Sequence, residues 1–257
     1  MQELIKVEIT IDGVMLLTLN RAEKRNALNN ATLQYLCELL EEAEYNARVK
    51  AIVLTGNQYC FAAGADLAEL AEMDSVALQL DIRPKLWQKI DAFSKPIIAA
   101  VNGYALGAGF ELVLHADIVL CGENAKFALP EIGLGMLPGA GGTQRLARLV
   151  GQQLTMRWAM TGEMISAQQA EQHGICSEVV PTALTVEYAI QFAKKIAQQA
   201  PLAIRVIKQS IKSIHETTLS QGLKLERQNF VWLAATNDRK EGINAFFEKR
   251  KPIFRGE

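Results

Sequence analysis

Between Ile5 and Leu19 apolar and polar positions alternate on either side of Asp12-Gly13, the pattern of two strands joined by a tight turn. A polar stretch at Asn20–Asn26 separates this hairpin from Leu28, Leu33, Leu36, Leu39 and Leu40, whose spacing predicts a helix. The run Ala51 to Gly56 is apolar and ends on glycine, as a buried strand does. A helical stretch over 78–93 leads to a second such strand, Ile97 to Val101. A glycine-rich turn then opens the apolar segment Phe110–His115, and a further strand is predicted at Asp117–Cys121. From Thr143 onward the pattern reads as helix, broken at Gly151, Gly162, Gly174, Pro181, Pro201 and Gly222. Strands alternating with helices predict an α/β core over residues 1–200, with a helical region over 201–257. No sequence repeat stands out.

Composition narrows the class. The 257 residues are 49% hydrophobic and 21% charged, ordinary values for a globular chain able to bury a sizeable core. A formal net charge of -1 gives no global field for nucleic acid or an anionic membrane. The beginning of the chain, MQELIKVEI, lacks the basic-then-apolar layout of a leader. The longest uncharged apolar run, Pro96–Phe110, is fifteen residues long and carries Asn102 and three glycines, too short and interrupted to span a bilayer. Cys37, Cys60, Cys121 and Cys176 are widely spaced and read as thiols in a reducing compartment. The expectation is a cytoplasmic protein that binds neither nucleic acid nor membrane.

Several chemistries find no motif. Gly-x-Ser-x-Gly is absent, and His215-Glu216 lacks the second histidine of a zinc-protease helix. His115, His173 and His215 are scattered, so no metal site is expected. Gly133-Leu-Gly135 is followed by Pro138 where a dinucleotide fingerprint needs a small residue, Gly107-Ala-Gly109 by Leu112, and there is no phosphate-binding loop motif.

What remains is a recurring arrangement of small residues beside carboxylates. Strand Ile97–Val101 feeds a turn of small residues that opens an apolar helix, where free N–H groups carry partial positive charge and a ligand can approach closely. Glu111 lies three residues after Ala108, on the same helical face. Taken alone, Glu111 reads as an acid complementing the positive end of a helix. Glu131 changes that weighting. It sits among Leu129, Ile132 and Leu134, ahead of a second glycine-rich loop, and burial there would raise its pKa toward a value useful for proton transfer. Phe61-Ala-Ala-Gly-Ala-Asp66 is a third small-residue loop, with Asp66 as a helix N-cap.

These segments together resemble the crotonase, or enoyl-CoA hydratase/isomerase, superfamily. The matching stretches are Ile98-Ala-Ala-Val-Asn-Gly-x-x-x-Gly-Ala-Gly109 through Asp117, Asn20-Arg-x-x-x-Arg-Asn-Ala-Leu-Asn29 and Ala62-Ala-Gly-Ala-Asp66. They continue in Pro130-Glu131, Pro138-Gly-Ala-Gly-Gly-Thr143 and Asp238-Arg-x-Glu-Gly-x-x-Ala-Phe-x-Glu-Lys-Arg250. The resemblance implies a crotonase (ClpP-like) spiral of ββα units and a helical C-terminal trimerisation region, assembled as a homotrimer or dimer of trimers. It implies an acyl-CoA thioester substrate and no cofactor, coenzyme A entering as part of the substrate. By matching positions, the N–H groups of Ala65 and Ala108 would hold the thioester oxygen. Glu111 and Glu131 would orient water and move a proton, and the Gly139 N–H would help hold the water. Lys24, Arg25 and Ala63 would border the CoA, as would Phe246 and Lys249 from a neighbouring subunit.

Three positions depart from common family usage. Ala108 replaces glycine, Ala68 stands where some relatives carry lysine, and Phe110 is bulky enough to trim an acyl pocket. Arg83-Pro-x-Leu-Trp87, Gly103-Tyr-Ala-Leu-Gly-Ala-Gly109 and Leu233-Ala-Ala-Thr resemble in particular a bacterial branch acting on a dicarboxylate-derived enoyl thioester in phenylacetate degradation. Retention of both glutamates favours a hydratase over the alternative within the fold, a Δ3-Δ2 enoyl-CoA isomerase. An RNA-binding crotonase would use Lys249-Arg250-Lys251, but so short a basic run in a near-neutral chain reads as solvated or facing CoA phosphate.

Overall fold

The computed structural model describes residues 3–257, so Met1 and Gln2, the start of the stretch read for a leader, lie outside it. The predicted hairpin forms as β1 (Ile5–Ile9) and β2 (Val14–Leu19), antiparallel, with Ile5 opposite Leu19. Helix α1 (Asn30–Tyr45) is capped by Asn29, whose side chain accepts from the Thr32 N–H, and it buries Leu33, Leu36, Leu39 and Leu40. Leu28, expected on this helix, precedes it.

Strand β3 (Ala51–Thr55) is buried along its whole length. Then come β4 (Cys60–Ala62), α2 (Leu67–Ala71), α3 (Ser75–Gln79) and α4 (Arg83–Ala92). The single helix expected over 78–93 is thus interrupted at 80–82. Strand β5 (Ile97–Val101) is again wholly buried and is followed by β6 (Tyr104–Leu106) and α5 (Ala108–His115). Strand β7 occupies Ile118–Gly122, one residue later than expected, and β8 covers Lys126–Ala128.

The topology explains the repetition of small-residue loops. One sheet has the order β1-β2-β3-β5-β7-β10, with β10 at Glu178–Val180, and a second the order β4-β6-β8-β9, with β9 at Ile165–Ser166. Strands β3, β5 and β7 run parallel in the first sheet, and β4, β6 and β8 run parallel in the second. Each turn of the chain therefore places one strand in each sheet. This is the expected spiral of ββα units, a repeat of structure that the sequence does not display as a repeat of text.

Beyond the spiral lie α6 (Gly142–Val150), α7 (Gln152–Thr161), β9 (Ile165–Ser166), α8 (Ala167–Gln172), β10 (Glu178–Val180) and α9 (Thr185–Ala197). Two short strands thus interrupt what reads as helix from Thr143 onward. Helices α10 (Pro201–Lys212), α11 (Leu219–Leu233) and α12 (Asn237–Phe247) complete the chain. Gly222 does not break a helix: it lies inside α11, whose start is set by a capping box between Thr218 and Gln221.

Helix α10 is tied to the core by charge. Lys208 pairs with Asp117 at 2.7 Å, and Lys212 pairs with Asp91 at 3.1 Å. Among described hydrophobic residues after 200, only Ala245 is buried. No helix among the described residues is long and apolar enough to cross a membrane.

Candidate active site

The three small-residue loops converge because each follows a parallel strand of the second sheet. After β4, the Leu28 N–H donates to the Gly64 oxygen at 2.8 Å and the Asp66 N–H donates to the Leu28 oxygen at 3.0 Å. In this parallel bridge the intervening Ala65 turns its N–H to the other side, away from Leu28. Asp66 is the N-cap of α2 and pairs with Arg21 at 3.0 Å, an interaction that lowers its pKa.

After β6, Gly107 adopts φ +49, a conformation glycine alone adopts readily, and starts α5. A Cβ on Gly107 would stand 2.8 Å from Glu131 Oε1 and 3.8 Å from the Gly64 Cα. A Cβ on Gly109 would collide with the Ala62 oxygen at 2.1 Å. The loops carrying Ala65 and Ala108 therefore lie against each other. Neither N–H donates to another described residue.

Glu111, in the first turn of α5, is 2% exposed. Its Oε1 accepts from the Ala140 and Gly142 N–H groups, both at 2.7 Å. Burial raises its pKa, while the two amides and the Arg145 charge oppose the rise. Glu131 sits in a short 3-10 turn, Pro130–Leu134. Its Oε2 is enclosed and has no hydrogen-bond partner among the described residues. Burial first, and then the charge of Glu111, push its pKa up to about 7, against the opposing effect of a backbone hydrogen bond.

Several expectations need correction here. Leu129 is buried, but Ile132 and Leu134 are 50% and 55% exposed, so they do not enclose Glu131 within the chain. The glycine-rich loop after Glu131 gives two of its amides to Glu111. Gly139, expected to help hold the water through its N–H, is exposed with open space around it, and the amides that Glu111 accepts are those of Ala140 and Gly142. Phe110 does not line an open pocket: it is wholly buried against Phe127, ring centroids 5.3 Å apart.

The CoA-bordering residues divide into two groups. Lys24 and Arg25 are exposed, and the Ala63 N–H donates to the Arg25 oxygen at 3.0 Å, which joins this segment to the Ala65 loop. Asn26, not singled out by sequence, anchors the same segment through its Nδ2 to the oxygens of Cys60 and Phe61. Phe246 is 79% exposed, its ring contact is with Phe247, and no polar or ring contact joins it or Lys249 to the glutamates among the described residues.

His115 and His173 pack on Trp87 and Trp158, whereas His215 is exposed. Burial holds His115 near pKa 4, hence neutral, and its Nδ1 lies 2.8 Å from the Glu111 carbonyl oxygen. Cys121 and Cys176, far apart in sequence, have sulfurs 3.2 Å apart, and all four cysteines are free and buried. Among the described residues no cluster of three His, Cys, Asp or Glu side chains could hold a metal. A cavity of about 1150 Å³ opens between α5, α6 and α10, lined by Arg145, Lys208 and Lys212; neither glutamate forms part of its wall.

Residues 10–257 match the family model described as enoyl-CoA hydratase/isomerase. The chain is 56% identical to the 2,3-dehydroadipyl-CoA hydratase of Escherichia coli (strain K12), over 95% of each chain. It is 46% identical to the mitochondrial enoyl-CoA hydratase of Pongo abelii, over 94% of this chain and 83% of that one. An enoyl-CoA hydratase crystal structure from Geobacillus kaustophilus superposes with a TM-score of 0.96 at 40% identity, covering 99% of both chains. One from Bacillus anthracis does so with a TM-score of 0.95 at 38% identity, covering 99% of this chain and 100% of that one.

Proposed function

The chain belongs to the enoyl-CoA hydratase/isomerase family, and from that premise we propose that it adds water across the 2,3 double bond of an enoyl-CoA to give a 3-hydroxyacyl-CoA. The observation that carries this reading is the contrast between two buried carboxylates. Glu111 is held by two amides that favour its anion, whereas Glu131 has a bare oxygen and a pKa near 7.

Water is a poor nucleophile, so one group must take its proton as its oxygen bonds to C3. Glu111 suits that role as the amide-held anion. The electrons of the C2–C3 double bond move toward the thioester, and C2 takes a proton from Glu131, the group whose environment favours the acid. The Ala65 and Ala108 N–H groups receive the charge that develops on the thioester oxygen. One such donor is worth about 3–4 kcal/mol to a transition state of this kind. An isomerase shuttles one proton and needs a single acid–base group; the unequal pair fits addition of water better.

We take the substrate to be 2,3-dehydroadipyl-CoA in phenylacetate breakdown, on the strength of the 56% identical relative. Coenzyme A enters with it and no other cofactor takes part. Lys24, Arg25 and Ala63 would border the CoA from the same chain, and Phe246 and Lys249 from a neighbour. The exposed side chains Leu219, Leu223, Phe230, Trp232, Phe246 and Phe247 favour burial of region 201–257 in a trimer or dimer of trimers. The free thiols and the near-zero net charge suit a cytoplasmic protein that binds no RNA. Incubation with crotonyl-CoA tests the reaction: hydration abolishes the absorbance of the conjugated thioester, and persistence of that absorbance would reject the hydratase reading.

A further inference from the structure

A chain that accepts a dicarboxylate-derived thioester needs a cation where the far end of the acyl group lies. Arg83 is a buried cation with unused donors. The residue is 9% exposed. Its Nε donates to Asp81 Oδ2 at 2.5 Å, and its backbone N–H donates to Asp81 Oδ1 at 3.1 Å. Nη2 meets only the Met73 sulfur, at 2.9 Å, a weak acceptor. Nη1 has no partner among the described residues. Among the described residues Nη1 is not one of the enclosed side-chain atoms left without a partner, and the Arg83 side chain keeps 11% of its surface exposed. Asp81 thus occupies one edge of the guanidinium, and the outer Nη1/Nη2 edge has no oxygen on it.

The topology places Arg83 at the same edge of the sheet as Glu111. Helix α4 leads into β5, and α5 leads into β7, its parallel neighbour. Both helices therefore run from the edge of the sheet where the parallel strands end back to the edge where they begin. The beginnings of β5 and β7 are joined there, the Ile97 N–H donating to Asp117 Oδ2 at 2.8 Å. Arg83 and Glu111 each lie in the first turn of their helix, hence at the opposite, common edge. Trp87, one turn after Arg83, packs on His115, one turn after Glu111, with ring centroids 5.0 Å apart. Met73, whose sulfur meets the guanidinium, follows α2, the helix that begins two residues after Ala65.

We propose that Arg83 receives the distal carboxylate of the acyl group through its Nη1/Nη2 edge and so sets the preference for an ω-carboxylated enoyl-CoA. The inference rests on the hydratase reading. Asp81 holds the guanidinium in place and also limits its affinity, because it already neutralises part of the charge. An Arg fork binds a carboxylate with two parallel hydrogen bonds, which an ammonium group does not reproduce.

The test is the ratio of kcat/KM for 2,3-dehydroadipyl-CoA to that for 2-hexenoyl-CoA, which has the same chain length without the carboxylate. In Arg83→Met the ratio should fall about 10- to 100-fold, and in Arg83→Lys by less. In Asp81→Asn, which releases the second edge of the guanidinium, the ratio should rise through a lower KM for the diacid thioester. A ratio unchanged in Arg83→Met overturns the proposal. If that variant does not fold, an unchanged or lower ratio in Asp81→Asn overturns it. Wild-type enzyme that hydrates hexenoyl-CoA but not the diacid thioester also overturns it, leaving the hydratase reading intact. Hydration of neither substrate removes the hydratase reading itself.

Discussion

One oxygen of Glu111 accepts two backbone N–H groups at 2.7 Å, while one oxygen of Glu131, enclosed nearby, accepts none. Two carboxylates near each other resist ionising together, and the one without donors keeps its proton longer. The amides of the Pro138–Gly142 loop thus create the division of labour between two otherwise identical side chains.

Replacing either acid by its amide leaves the shape nearly unchanged and removes the proton chemistry. Glu111→Gln and Glu131→Gln should each lower kcat by roughly 10²-fold or more, with little change in CoA affinity. Steady-state kinetics with crotonyl-CoA and a competition assay with free CoA measure both quantities. Near-normal turnover in either variant would remove that glutamate from the mechanism.

The pH profile should show which group is the acid. Hydration needs Glu131 protonated, and its pKa lies near 7. In the hydration direction kcat/KM should therefore fall as pH rises through about 7, approaching ten-fold per unit. In Glu131→Gln the residual rate should lose this alkaline limb. A wild-type profile flat to pH 9 would contradict the assignment.

The site's glycines should not be interchangeable. Gly109→Ala places a methyl group 2.1 Å from the backbone oxygen of Ala62, so the protein should fold poorly or not at all. Gly107→Ala meets instead the Glu131 carboxylate at 2.8 Å and the strain of a backbone with φ +49 and ψ -124, about 1–3 kcal/mol for a residue with a Cβ. It should fold and lose at least about ten-fold in kcat as Glu131 is displaced. Circular dichroism and turnover separate the two outcomes.

The long buried strands and the large helix faces were legible because Ala51–Gly56, Ile97–Val101 and the leucines of α1 carry strong periodic or continuous apolar signals. Strands β4, β6 and β8 escaped notice because three residues are too few to show a period, yet they form the sheet that gathers the site loops. Glu111, Glu131 and the small-residue turns were readable as chemistry that recurs at helix starts. Their connection was not, since it depends on which amide of the second loop meets which carboxylate across 29 and 31 residues. The exposure of Ile132 and Leu134 was also hidden, because apolar neighbours in sequence on a 3-10 turn need not share a face. Arg83 was legible only as part of a matching stretch, Arg83-Pro-x-Leu-Trp87, because its burial and the missing acceptors on its outer edge depend on the fold.

Glu131 also makes a prediction about stability. Its folded pKa, near 7, lies above the ordinary value of 4.5, so between those two values the folded chain binds more protons than the unfolded one. Stability therefore falls as pH rises across that window and stays reduced above it; below about 4.5 both states are protonated and no penalty exists. The full shift corresponds to about 3 kcal/mol, and water reaching a half-buried carboxyl reduces this to about 1–2 kcal/mol. Glu131→Gln, which cannot ionise, should melt about 2–8 °C higher than wild type at pH 8. That difference should shrink toward zero near pH 4.5. An equal gain at both pH values would assign the effect to packing, and a loss at pH 8 would show that the ionised carboxylate is stabilised by the fold.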